Sequence, residues 1–267
     1  MTTTIAPTTL SRLSLGRVIH SEWIKLRSLR STIWSYAIIV LVSLGMAFVL
    51  SSALSNPDFG PIIDSPEHTL IQASTFGLSF GVLVVAVLGV LVISGEYSTG
   101  MARSTFTAVP KRLPALAAKA IVLFVATYVV GLVATLGSAV VALVVLNGNG
   151  SQPAITGDVI SSILLACLYL SLVALFALGI GTMLRSSAGG IAAALGLLLL
   201  LPTVLMVFAS ITQAQWAIDL IPYLLTNAGE SMFLGGELEL WQSLLAVVLW
   251  AAVPLAGGAV LLKRRDA

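Results

Sequence analysis

Few side chains in this 267-residue chain could hold a metal, attack an electrophile or relay a proton: two histidines, one cysteine and eleven acids. His20 and His68 belong to no H-E-x-x-H frame, and the charge pattern below sets them on opposite sides of a membrane. They therefore cannot share a metal or a base role. Cys167 lies inside an apolar run and is expected to be a small core residue; a single cysteine excludes an internal disulfide. The acid pairs Glu237/Glu239 and Asp64/Glu67 read as solvated loop charges. No Gly-Lys dipeptide occurs, so the chain lacks a G-x-x-x-x-G-K-[ST] loop to cradle a nucleotide. The inventory argues against an enzyme, with no G-x-S-x-G nucleophile elbow expected among the plentiful Ser and Thr and no catalytic, metal or cofactor residue expected.

The elements that carry these residues are oily. Hydrophobic residues make up 58% of the chain and charged ones 9%, where a soluble domain holds roughly a quarter charged. Continuous apolar runs predict an all-α integral membrane protein rather than a barrel, whose strands alternate. Six spans are expected, at about 32–54, 70–94, 117–146, 159–184, 188–210 and 241–262. They would form one six-span domain covering 1–267. A polar stretch, 1–31, precedes them, a segment at 95–116 joins spans two and three, and a long segment at 211–240 precedes the last.

Even-numbered crossings put both termini, 95–116 and the 185–187 turn on one side. All 13 Lys and Arg fall there or at its boundary, including Lys119, while eight of the eleven acids fall opposite. The positive-inside rule makes the basic side cytoplasmic, with both termini there and the protein multi-pass in the plasma (inner) membrane. The net charge of +2 reflects this asymmetry and does not point to nucleic acid.

Two stretches on that side are amphipathic. Wound as a helix, 97–109 gathers Tyr97, Met101, Ala102, Thr105, Phe106, Ala108 and Val109 in one half. Arg103, Ser104 and Thr107 fall in the other, with Gly95 and Pro110 as expected boundaries. In "LGRVIHSEWIKLRSLRSTIW" the residues Leu15, Val18, Ile19, Trp23, Leu26 and Leu29 form a stripe on which Glu22 and Arg30 intrude. Such a helix would lie in the membrane interface with Trp23 at headgroup depth, in contact with the lipid bilayer.

The elbow "SEWIKLRSLRST", the segment "ISGEYSTGMARSTFTAVPKR" after span two and the "IPYLLTNAGESM" stretch before span six together resemble the permease subunits of ABC transporters of the type-2 exporter class, in the form common in actinobacteria. The resemblance covers essentially the whole chain. It implies a homodimer of twelve spans, each copy docking one of two separate ATPase subunits that bind ATP and Mg. It implies that 97–109 is a coupling helix, with Glu96, Tyr97, Met101, Arg103, Phe106, Lys111 and Arg112 at or near the ATPase. Glu22, Trp23, Lys25 and Arg27 would form an elbow helix, spans one and five would meet at the dimer seam, and the segment before span six would cap the pathway.

Ion-coupled carriage would need buried ionisable groups, and the six windows hold no Asp, Glu or His. Ser, Thr, Tyr128 and Tyr169 among apolar residues suit a hydrophobic or amphiphilic cargo. Gly77/Gly81, Ala134/Ser138/Ala142 and Ala192/Gly196 are spaced for close helix packing. Pro202 and Pro254 are expected to bend spans five and six, and 211–240 to form short surface helices interrupted at Pro222 and Gly229. A non-transporting membrane scaffold or sensor that binds a cytoplasmic partner is the alternative reading.

Overall fold

The computed structural model describes residues 15–55, 65–98 and 112–264, and within them every regular element is helical. Met101, Arg103, Phe106 and Lys111 lie outside the described residues, as does all of the expected 97–109 helix except Tyr97 and Ser98. The order is α1 (Leu15–Ser28), α2 (Arg30–Leu54), α3 (Pro66–Thr75), α4 (Gly77–Ser98), α5 (Arg112–Gly148) and α6 (Gly157–Leu184). Then come α7 (Ser187–Leu195), a π turn (Gly196–Leu200), α8 (Leu201–Thr212), α9 (Gln215–Leu220), a 3-10 turn (Ile221–Tyr223), α10 (Leu225–Leu234) and α11 (Leu240–Arg264).

Six helices are long and apolar enough to cross a membrane: α2, α3 continued by α4, α5, α6, α7 continued by α8, and α11. They overrun the apolar windows. Pro66–Tyr97 counts as one span, so Glu67, His68 and Glu96 ride on its ends, where the window 70–94 held none. The helix also passes unbroken through Gly95 to Ser98, although a boundary was expected there. A glycine inside a helix costs only about 1 kcal/mol, and the contacts of Ser94 and Glu96 described below hold this last turn. Helix α5 has 37 residues, about 55 Å at 1.5 Å per residue, against a hydrocarbon core of ~30 Å. Its ends must stand clear of the core.

The chain is built around α6. Of its most apolar stretch 72% is buried inside the protein, against 11% for the fifth span, so α6 is the central post and α7–α8 lies at the rim. Helix α6 packs on α4, α5, α10 and α11. Small residues make this possible. A Cβ on Gly89 of α4 would press on Ala174, and one on Gly179 of α6 would press on Pro254 and Leu255 of α11. Three hydroxyls at the bundle's centre donate back to the preceding turn: Thr135 Oγ1 to the Gly131 carbonyl at 2.8 Å, Ser171 Oγ to Cys167 at 2.9 Å, Thr182 Oγ1 to Leu178 at 2.7 Å. Water is not required to satisfy them.

The small-residue pairs divide. Gly77 lies against the backbone of Ser43 in α2, and Gly81 lies within reach of Ile39 and Leu170. Ala134, Ser138 and Ala142 are buried. Ala192 is exposed and Gly196 faces open space within the chain. Gly196 instead opens the π turn that leads to Pro202, whose missing N–H and ring cannot continue a regular α turn.

Between spans five and six the chain runs Gln215–Leu220, Ile221–Tyr223 and Leu225–Leu234. Pro222 does interrupt it, but Gly229 does not. Helix α10 runs through Gly229, and the glycine is there because the Tyr169 ring of α6 approaches so closely that any Cβ would collide with it. Tyr169 is therefore enclosed beneath α10, beside Phe233, and lines no pathway within this chain. Tyr128 is half-buried and stacks on Phe124. Cys167 is free and buried, 3.4 Å from Thr135 Oγ1.

Candidate functional site

Four charged residues, drawn from three helices, meet at the end of the bundle that carries α1. On α1 the positions Val18, Glu22 and Leu26 turn inward at four-residue spacing, placing a carboxylate in the middle of the buried face. Lys25 is three residues on from Glu22, within one helical turn. Glu96 sits two residues before the end of α4, and Lys119 seven residues into α5.

Together they close a ring of alternating sign. Lys119 Nζ donates to Glu22 Oε2 at 2.6 Å and to Glu96 Oε1 at 2.9 Å. Lys25 Nζ donates to Glu22 Oε1 at 2.7 Å and to Glu96 Oε1 at 3.2 Å. The side chains of Glu22, Lys119 and Glu96 are 4%, 7% and 12% exposed, and that of Lys25 is 30% exposed. Two charges of each sign cancel, which makes their burial tolerable: a lone buried charge would cost several kcal/mol, and each here has two opposite partners.

Burial pushes the Glu22 carboxyl up, but the two ammonium groups, Lys119 foremost, override it and hold the group below its ordinary 4.5. Burial likewise pulls the Lys25 ammonium down, yet Glu22 and Glu96 raise it above 10.5. The Glu22 carboxylate and the Lys25 ammonium are therefore ionised at neutral pH.

Beside the ring is a cavity of about 300 Å³, walled by Leu26 and Ser28 of α1, Leu29 in the link to α2, Leu91, Val92 and Gly95 of α4, and Val122 of α5. The other side of the α4 terminus is gripped by the 185–187 turn. Ser187 Oγ donates to Ser94 Oγ at 2.9 Å. Arg185, in the left-handed conformation that ends α6 (φ 53°), sets its guanidinium 5.2 Å from the centre of the Tyr97 ring, a cation–π contact. Ser94 and Tyr97 share one face, and Glu96 is roughly 200° round from Ser94 at 100° per residue. The end of α4 is thus held from two directions.

Among the sequence-derived site residues, the ring unites Glu22, Lys25 and Glu96. Trp23 is exposed, as are Ile24 and Leu29, and Arg27 is exposed on α1. Arg112 opens α5. Lys119 was read only as a boundary base. Two signals could have found it: it is the only charge within the third apolar window, and Glu22 breaks an apolar stripe. A charge where a face should be apolar calls for a buried partner. One catalytic-looking string does occur against expectation. Gly77-Leu78-Ser79-Phe80-Gly81 spells G-x-S-x-G, but it lies within a membrane helix with Ser79 exposed, not on the strand-to-helix turn the chemistry requires. No cluster of metal-ligating side chains occurs among the described residues.

Residues 18–195 match the family described as ABC-2 family transporter protein. The match runs from α1 to the end of α7, so it takes in all four ring residues and the first four spans. No curated protein matches the chain.

Proposed function

The chain belongs to the ABC-2 family of transporter proteins and is a multi-pass membrane permease, and from that premise we propose that it is the membrane half of an ATP-driven exporter. Two copies form a twelve-span pathway, and a separate ATPase subunit docks on each. The basic end faces the cytoplasm: 13 Lys and Arg lie there and none opposite, the asymmetry that fixes orientation in the plasma membrane. ATP and Mg are bound by the partner, since this chain has no phosphate loop.

Closure of the ATPase pair on ATP presses on the segment between α4 and α5, and the two spans rock between inward-open and outward-open arrangements as rigid bodies. Met101, Phe106 and Tyr97 supply the apolar contact with the ATPase, and Arg103, Lys111 and Arg112 the charged one. Trp23 and Arg27 hold the elbow in the interface. The spans carry their ionisable groups at their ends, and Lys119 is matched by two carboxylates. That arrangement supports a driving force from outside the membrane rather than a proton or sodium relay within it.

The observation that carries this reading is the family match across 18–195. Its test is the double variant Arg103→Glu/Lys111→Glu, which leaves the ring intact. Wild-type protein, solubilised from its own membranes, is expected to carry an ATP-hydrolysing subunit through purification, and the variant to lose at least about nine-tenths of it. Equal recovery with the variant would remove the docking role of this segment.

A further inference from the structure

We propose that the four-charge ring is a joint that makes α1, the C-terminal end of α4 and the first turns of α5 a single rigid arm, with Lys119 as its pin. The proposal rests on the reading above only for its purpose, which is to carry a push from the α4–α5 connection into the elbow.

The argument begins with what does not touch. Helix α1 packs along α5 and scarcely meets α4, and α4 has little contact with α5. Between α1 and α4 lies the 300 Å³ cavity, with Leu26 and Leu29 on one wall and Leu91 and Val92 on the other. Close-packed side chains transmit displacement, and a void does not. Charged connections bridge that void: Lys25 to Glu96, from α1 directly to α4, and Lys119, which bonds Glu22 of α1 and Glu96 of α4 from its base on α5.

Each ammonium bridges two carboxylates, so no single contact carries the joint. Charge-assisted bonds buried this deeply are short, directional and little screened by salt. Glu96 also stands at the root of the chain's exit from span two, two residues before Ser98, and Tyr97 and Ser94 anchor the same turn to Arg185 and Ser187. A force applied beyond Ser98 therefore enters the bundle at a turn fixed on both sides. With the ring whole, α1 follows α4. With the ring cut, α1 stays on α5 and the cavity takes up the motion. Lys119 is a positioning residue in this scheme and touches neither nucleotide nor cargo.

The test attaches spin labels to cysteines placed at Ser28 on α1 and Leu91 on α4, in the chain alone in lipid nanodiscs, with Cys167 replaced by Ala. Wild type and Lys119→Arg are expected to give one narrow distance, and Lys119→Met a distribution at least about twice as broad. Should Lys119→Met fail to fold, Glu96→Ala removes the carboxylate that both ammoniums share on α4 and serves the same purpose. In the complex with its ATPase, ATP should leave the Ser28–Leu91 distance unchanged in wild type and change it in the cut-ring variant. An equally narrow distribution in the cut-ring variant overturns the joint while leaving the permease reading intact. Failure to recover any ATPase would count against that reading alone, because the first measurement needs no partner.

Discussion

Glu22 and Lys119 are 97 residues apart and meet at 2.6 Å, a pairing no local pattern could announce. Their burial makes the ring unequal in its parts. Replacing Lys119 with Met leaves two buried carboxylates with the partly exposed Lys25 as the ring's remaining cation, and breaking a buried pair from one side costs about 3–5 kcal/mol. Replacing Lys25 with Met, nearer solvent, should cost about 1 kcal/mol or less. Denaturation midpoints in detergent, compared between the two variants, check the ordering. The depressed Glu22 carboxyl gives stability that is complete above its ordinary 4.5 and is lost as pH falls through the lower folded value. The elevated Lys25 ammonium gives stability that is complete below 10.5 and is lost as pH rises through the higher folded value. Amide exchange in α1 should therefore change little between about pH 5 and pH 10 once the intrinsic rate is divided out, and docking should loosen beyond either limit.

At the scale of elements, apolar length read from the sequence located the six spans because a bilayer demands about 20 apolar residues and leaves little else to choose. The same reading placed span two at 70–94, short of the helix Pro66–Tyr97, since polar residues at a helix end lower mean hydropathy without ending the helix. Glycine misled it twice for one reason. Gly95 and Gly229 were expected to mark breaks, yet both lie inside helices, the first in a turn pinned by its neighbours' contacts and the second where Tyr169 leaves no room for a Cβ. Gly229→Val should thus lift α10 from α6. With a cysteine at Met232, now buried, labelling by a polar maleimide should rise at least about tenfold over the same cysteine with Gly229 retained. Gly179→Leu should likewise force α6 from α11 at Pro254, at a cost of about 3 kcal/mol or more, read as lost thermal stability in detergent.

For the whole molecule, the separation of charge and oil sets the architecture: a central α6, a ring of apolar helices about it and, among the described residues, cations gathered at one end. The outward faces of α2 and of α7–α8 carry Trp34, Leu41, Phe48, Leu200, Val204 and Ile211, all exposed. On the proposed reading these faces meet lipid and a second copy. Family membership was legible from the elbow and the segment after span two, whereas the ring became visible only when three distant stretches of chain were brought together. The most direct measurement of the central claim is the native mass of the solubilised protein with whatever it carries from its own membrane. The account predicts two copies of this chain with two copies of an ATP-hydrolysing subunit. A chain that moves its cargo with no nucleotide-hydrolysing subunit bound would contradict it.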